Sequence, residues 1–440
     1  MKKLKKKPDL GTWFGILCFA ALGAVVGMLY LRYILPAIDA GMPKGQRIWS
    51  VLLLAAFLYG SLFLQLILHE AGHLVFGLLS GYRFSSFRVF QFMWLREGDG
   101  RVRLKKMGLA GTAGQCLMSP PDFNTDFHLR HVQMWDGFCV KSRKASESVP
   151  EGTVRRTDAE MAQKTPTDVH GLGVNQYKDG RIPVMLYNFG GALMNALTAL
   201  LALCVGLLFP AESLARLGLM VFCAVGVMFA LLNGLPMRTG LVSNDGRNAL
   251  DIARDPAAMR AFWVQLRMNE EVSRGVRQKD MPAEWFQVPQ DEEMKNGITA
   301  ALGVFACGRL MDEHRFGEAD ALMRPLLCMD SIPGLYKGLM RCDRMYVELI
   351  TKNRPEALSG MRSKEQMKFM KAMARYPSVL RTEYAYALLA EKDGEKAAAL
   401  RDKLEKQLAA YPYPGEAEAE REFADIAADK EKQHELPETV

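Results

Sequence analysis

The chain has 440 residues and a net charge of +7, and 49% of its residues are hydrophobic. This length predicts two or three domains. Basic residues beside anionic lipid account for the positive charge, so we expect no nucleic-acid partner. The eight cysteines show no paired metal-type spacing, which argues against a disulfide framework and favours a reducing compartment.

The apolar residues are concentrated in the N-terminal half, which we predict to be a membrane domain over residues 1–255. A spanning helix needs about 20 predominantly apolar residues. Four segments meet this length, at residues 12–38, 48–79, 182–209 and 214–235. We expect the first to be a retained anchor, because its apolar run is longer than a signal-peptide core and no suitable cleavage site follows it.

The basic residues predict how these segments are oriented. Lysine and arginine are frequent before the first segment and between residues 81 and 181, whereas the short connections at 39–47 and 210–213 hold only Lys44 and Arg47. Positively charged loops stay in the cytoplasm. We therefore expect the N-terminus, the 81–181 segment and the C-terminal half to be cytoplasmic, at the cell membrane if the protein is bacterial.

The second predicted span contains the stretch LILHEAGHLVFG, residues 67–78. In a helix, residues four apart lie on one face, so His69 and His73 can direct ring nitrogens at one ion while Glu70 stands beside it. The alternative is a packed pair of histidines on a helix that happens to contain a glutamate. Ionisable residues at membrane depth are costly and mark functional sites, so the pattern predicts a zinc ion with a neighbouring general base.

Two different segments follow this motif before the third span. Residues 82–107 alternate between apolar and polar and contain EGDG, which predicts a β-hairpin just after the helix. Residues 123–178 are polar, charged and without periodicity, and we predict a disordered cytoplasmic insertion. His128 and His131 form an H-x-x-H pair there, but they lack a nearby third ligand and are interpreted as residues of a solvated loop.

A catalytic zinc ion needs a third protein ligand and an open position for water. Two later segments are candidates, NFGGALMNAL in the third span and LLNGLPMRTGLVSNDGRNAL after the fourth. The second offers Asp245, where a turn could return the carboxylate toward the other helices. Asn-Asp-Gly is also a common turn that caps a following helix. Taken alone, these residues favour the capping interpretation.

The order of three motifs changes that judgement. HEAGH on a membrane helix, GGALMN in a later span, and NGLP followed by NDG resemble the site-2 protease family of intramembrane zinc metalloproteases, over about residues 48–255. In that family the β-hairpin lies beside the site, where it can pair with an extended substrate. The resemblance implies three roles: zinc ligands His69, His73 and Asp245, the catalytic base Glu70, and substrate-binding residues Asn195 and Gly191.

The resemblance implies hydrolysis of a peptide bond in or near a membrane-spanning segment of a membrane-protein substrate. Zinc would activate a water molecule and polarise the scissile carbonyl, while Glu70 accepts the proton. The substrate helix must be unwound locally, since its hydrogen bonds hide the carbonyls. Given the predicted orientation, cleavage is expected near the cytoplasmic face.

Two other classes of function stay open. A non-catalytic zinc-binding membrane scaffold would recruit partners through the C-terminal half, but the intact Glu70 counts against it. A transporter would use the buried histidines to relay protons or metal ions. Four predicted spans without an internal hydropathy repeat disfavour the transporter.

The C-terminal half is charged and helix-prone. We predict three parts, which are a connector at 256–290, a soluble helical domain at 291–428 and a polar tail at 429–440. Turn-plus-acid segments recur around Glu318, Glu356 and Glu395, at intervals of 38 and 39 residues. This spacing suggests stacked helical hairpins similar to tetratricopeptide arrays, although an irregular bundle is nearly as consistent with it. The fold class is thus an all-α polytopic membrane protein with a small hairpin and a helical domain for a protein partner.

Overall fold

The computed structural model describes residues 10–36, 43–106, 113–122, 182–239 and 242–435. The predicted insertion at 123–178, with His128 and His131, lies outside the described residues. Residues up to Pro120 and from Pro183 onward belong to one compact unit. The membrane helices and the C-terminal helices are therefore described together.

Four helices are long and apolar enough to cross a membrane, as the sequence predicts: α1 (Leu10–Tyr33), α2 (Lys44–Leu79), α3 (Val184–Leu207) and α4 (Leu214–Gly234). This fits a multi-pass membrane protein. Helix α2 has 36 residues, which corresponds to about 54 Å at helical rise. It is longer than the roughly 30 Å hydrocarbon layer, so part of it extends beyond that layer.

The membrane helices pack through small residues. Side chains at Gly72 of α2 and Gly190 of α3 would collide with each other's backbone, so these glycines permit a close approach of the two helices. Helix α1 packs against α4 through an apolar cluster that includes Leu22, Val221 and Val225. The close approach of α2 to α3 brings the HEAGH motif next to the GGALMN motif.

A four-stranded antiparallel sheet follows α2, in the order β3-β2-β1-β4. Its strands are β1 (Arg83–Val89), β2 (Phe92–Arg96), β3 (Val102–Lys106) and β4 (Gly114–Ser119). The hairpin predicted over 82–107 is thus part of a larger sheet, in which β4 returns to pair with β1. Alternation of apolar residues identifies strands, but it does not specify how many partners each strand has.

After α4, two short strands, β5 (Arg238–Thr239) and β6 (Val242–Ser243), pair before α5 (Asp245–Arg254) begins. Helix α6 (Pro256–Ser273) occupies much of the predicted connector. Pro256 does not interrupt it, because a proline in the first helical turn lacks only a donor that would have no partner there. The Asp255 side chain caps this helix by accepting a hydrogen bond from the Ala257 amide at 2.9 Å.

Eight further helices form the C-terminal domain within the described residues: α7 (Gly297–Asp312), α8 (Phe316–Cys328), α9 (Gly334–Thr351), α10 (Pro355–Met361), α11 (Lys364–Ala372), α12 (Pro377–Tyr386), α13 (Gly394–Ala409) and α14 (Pro414–Glu435). Glu318, Glu356 and Glu395 each lie in the first turn of a helix, where a negative charge stabilises the helix dipole. The recurring acidic signal therefore marks helix starts. A tetratricopeptide-like repeat stays a prediction.

The sheet lies between the membrane helices and this domain. Met93 and Leu95 of β2 are buried and pack against Tyr411 and Tyr413 of the C-terminal domain. On the other side, the Tyr187 hydroxyl of α3 donates to the Cys116 carbonyl of β4 at 2.9 Å. The sheet therefore connects the helical domain physically to the helices that carry the candidate site.

Candidate metal centre

Three side chains from α2 and α5 converge on one point. His69 Nε2 and His73 Nε2 lie 3.2 Å apart, and Asp245 Oδ2 lies 3.1 Å from the first and 3.4 Å from the second. Ligand atoms about 2.0–2.1 Å from a tetrahedral ion are separated by roughly 3.4 Å. The spacing of the three atoms therefore fits a single metal ion, and the described structure brings together all three predicted ligands.

The outward nitrogens of the two imidazoles show which tautomer each ring adopts. His73 Nδ1 lies 2.9 Å from the backbone carbonyl of Tyr187, which can only accept a hydrogen bond. His69 Nδ1 lies 2.8 Å from Asn195 Oδ1, and the Asn195 amide nitrogen donates to two oxygens of Gln65. Both Nδ1 atoms therefore carry the proton, which leaves a lone pair on each Nε2.

The resulting cluster holds three electron-pair donors facing each other. Asp245 Oδ2 is buried, and with both Nε2 atoms unprotonated it has no hydrogen-bond partner among the described residues. Buried polar atoms without a partner are costly. A cation among the two Nε2 atoms and this oxygen removes that cost, so the chemistry of the donor set fits a metal ion.

The residue before Asp245 caps the helix, which leaves the Asp245 carboxylate free to face the two histidines. Asn244, not Asp245, is the N-cap of α5, because its Oδ1 accepts from the Arg247 amide at 3.0 Å. The same oxygen accepts from the Met237 amide at 3.0 Å, and the Asn244 amide nitrogen donates to the Leu232 carbonyl at 2.7 Å. The capping interpretation therefore applies to Asn244, and the Asp245 carboxylate faces the histidines.

Glu70 lies between the two histidines on α2 and is also buried, with 7% of its surface exposed. Its carboxylate contacts Gly114, the first residue of β4, so closely that a side chain at position 114 would collide with Glu70 Oε1. Strand β4 is an edge strand of the described sheet. The predicted base therefore borders a strand edge that was not part of the predicted hairpin.

The residues that the resemblance assigns to substrate binding both contact His69. A Cβ atom at Gly191 would lie 2.5–2.6 Å from atoms of the His69 ring, so glycine makes room for the imidazole. Asn195 is fully buried, and its side chain forms hydrogen bonds with His69 and Gln65. Substrate binding by Asn195 and Gly191 stays a prediction.

Two residues of this centre were missed by sequence reasoning. Gln65 is a polar residue in an apolar helix, one turn before His69, and that position was the available signal. Asn244 was noticed only as part of a turn.

No family model matches the chain, and neither a curated protein nor a solved structure matches it.

Proposed function

We propose that the protein is an intramembrane zinc metalloprotease that hydrolyses a peptide bond in or near a membrane-spanning segment of another membrane protein. The observation that carries this proposal is the convergence of His69, His73 and Asp245 on one point, with Glu70 beside them on the same helix. Two imidazoles and a carboxylate leave a fourth position open, which is typical of catalytic rather than structural zinc.

The residues of the chain would divide the chemistry as follows. His69, His73 and Asp245 would hold the ion, which when bound supplies an acidified water and a Lewis acid for the scissile carbonyl. Glu70 would accept the proton of that water and return it to the leaving amine. Its burial is compatible with this role, because a site that excludes bulk water strengthens the electrostatic interactions of the groups inside it.

The position of β4 supports an extended substrate. A peptide that pairs with the edge of a sheet exposes its backbone and places alternate side chains on each face. Because Gly114 at the start of β4 contacts Glu70, a segment paired with this edge would bring its carbonyl groups near the base. An unwound segment is also the form in which a membrane helix becomes susceptible to hydrolysis.

The experiment uses the full-length chain, purified in detergent and loaded with Zn²⁺, with a synthetic membrane-spanning peptide as substrate. We expect cleavage by the wild type and a loss of about 10²–10⁴ in rate for Glu70→Gln, with zinc content unchanged. Glu212→Gln is the control, because Glu212 is exposed between α3 and α4. A Glu70→Gln variant that cleaves at the wild-type rate would overturn the proposal, and so would a zinc-loaded wild type that cleaves none of a panel of such peptides.

A further inference from the structure

A buried amide lies one helical turn before the first histidine. Gln65 has no exposed surface although it belongs to the apolar helix α2. A polar group in such a position costs several kcal/mol unless it is hydrogen-bonded. Its oxygen accepts from the Asn195 amide nitrogen at 2.7 Å, and its amide nitrogen donates to the Phe222 carbonyl of α4 at 3.4 Å.

These contacts have a defined direction. The Phe222 carbonyl can only accept a hydrogen bond, so the nitrogen of the Gln65 amide faces α4 and its oxygen faces Asn195. Asn195 must then present its nitrogen to Gln65 and its oxygen to His69. That oxygen accepts a hydrogen bond from the protonated Nδ1 of His69, which leaves the lone pair of Nε2 free to bind a metal.

The packing around Gln65 provides a second observation. A Cβ atom at Gly226 of α4 would lie 2.5 Å from the Gln65 amide nitrogen. A glycine at this place therefore allows the amide to approach the backbone of α4. The same side-chain amide contacts α3 through its oxygen, which accepts from Asn195. Three membrane helices thus fix the orientation of one side chain that does not itself face the metal.

We propose that Gln65 is a positioning residue of the metal centre: by orienting the Asn195 amide, it fixes His69 in the tautomer that binds metal. Two oxygens of Gln65 hold the Asn195 nitrogen away from His69, the side-chain oxygen and the backbone carbonyl. Loss of the side-chain oxygen leaves only the backbone carbonyl. An Asn195 amide that turned over would offer a donor to Nδ1 of His69, and the proton would then occupy the metal-binding Nε2. The inference rests on the metal-binding part of the proposed function and not on proteolysis.

The test measures the affinity of the purified full-length chain for Zn²⁺ by competition with a chelating dye. We expect Gln65→Leu, which keeps the volume but not the amide, to weaken the affinity by about 10–100-fold, as is typical for loss of an outer partner of a ligand. Gln65→Glu in its neutral form keeps an acceptor for Asn195 and a donor for Phe222. We expect it to bind Zn²⁺ with an affinity close to that of the wild type.

Thr198→Val is the matched control. The Thr198 hydroxyl donates to the Met194 carbonyl of its own helix at 2.8 Å. Its distance from the side-chain oxygen of Gln65 is 3.5 Å, which is at the upper limit for a hydrogen bond. We expect its affinity to be unchanged. If Gln65 had a purely structural role, Gln65→Leu would lower the stability of the protein but would not weaken its affinity for Zn²⁺ relative to Gln65→Glu. Wild-type affinity in Gln65→Leu, or equal weakening in Gln65→Leu and Gln65→Glu, would overturn the inference.

A measurement on the wild type does not depend on any variant folding. Nitrogen-15 NMR of histidine-labelled, zinc-loaded protein reports which ring nitrogen carries the proton. We expect His69 to be protonated on Nδ1, whereas protonation on Nε2 would overturn the inference. A chain that binds Zn²⁺ with His69 protonated on Nδ1 but cleaves no peptide would contradict the proposed protease function. The proposed role of Gln65 would not be affected.

Discussion

Asn244 and Asp245 are neighbours in the chain, but their side chains point to different partners. Asn244 caps α5 and bonds to the backbone at the end of α4, whereas Asp245 Oδ2 lies 3.1 Å from His69 Nε2. The cap therefore fixes the first turn of α5 in the orientation that directs the next carboxylate at the metal centre. Helix capping by Asn244 and the proposed metal coordination by Asp245 are therefore separated between two adjacent residues.

This separation predicts different consequences for the two alanine variants. Asp245→Ala removes a ligand, and we expect zinc affinity to fall by more than the 10–100-fold typical of losing an outer partner, with loss of cleavage. Asn244→Ala keeps all three ligands and should cost about 1–2 kcal/mol of stability through the lost cap, with a smaller effect on affinity. Metal analysis and thermal unfolding of both variants are the measurements, and full zinc occupancy in Asp245→Ala would show that the third ligand lies elsewhere.

Gly114→Ala should affect the base more than the metal ligands. The added methyl would collide with Glu70 Oε1, so the carboxylate must move while His69 and His73 keep their positions. We expect the zinc content to stay near that of the wild type and the rate of peptide cleavage to fall. Gly317→Ala is the control, because nothing lies within 4 Å of a side chain there. A Gly114→Ala protein that cleaves the peptide at the wild-type rate would show that this contact does not position the proposed base.

Glu270 of α6 connects this helix to the sheet. Its carboxylate accepts from the Ser119 hydroxyl at the end of β4 and pairs with Arg267 at 2.9 Å and Arg274 at 2.8 Å. Burial alone would raise the pKa of Glu270, but the hydroxyl and the two guanidinium groups outweigh it and hold the pKa below its usual range. The charged form is therefore the one that the folded state favours.

Because the pKa of Glu270 is lower in the folded chain, its contribution to stability is present above the usual glutamate pKa of about 4.3. It is lost as the pH falls through the lower folded-state value. We expect Glu270→Gln to lower stability by about 1–3 kcal/mol at neutral pH, and the difference from the wild type to shrink in acid. Thermal unfolding across pH measures this, with Glu271→Gln as control, and a pH-independent difference would contradict the assignment.

The predicted orientation is tested by labelling cells with a thiol reagent that cannot cross the membrane. A cysteine at Lys44 should react in intact cells, because this exposed residue begins α2 on the predicted outer side. A cysteine at Ala398, exposed on α13, should react only after lysis. Labelling at Ala398 in intact cells would reverse the orientation and move the expected cleavage to the outer face.

The sequence predicted those features that depend on composition along a single element. The membrane helices follow from long apolar runs, and the pairing of His69 with His73 follows from helical spacing. Features that depend on a distant partner do not follow from these patterns, and the convergence of Asp245 on the histidines was predicted only from the resemblance in motif order. The pairing of β4 with β1 and the contacts of Gln65 join segments far apart in the chain, and alternation or hydropathy contains no information about such partners.

The order of the centre along the chain has a consequence for biosynthesis. Asp245 lies 176 positions after His69, so at about 5–20 residues per second the ribosome needs on the order of 10–35 s to supply it. During that interval the nascent α2 contains His69, Glu70 and His73 without the Asp245 carboxylate of α5. The complete set of proposed ligands exists only once the chain has been made beyond Asp245, which would delay the proposed hydrolytic activity until the membrane helices have all been synthesised.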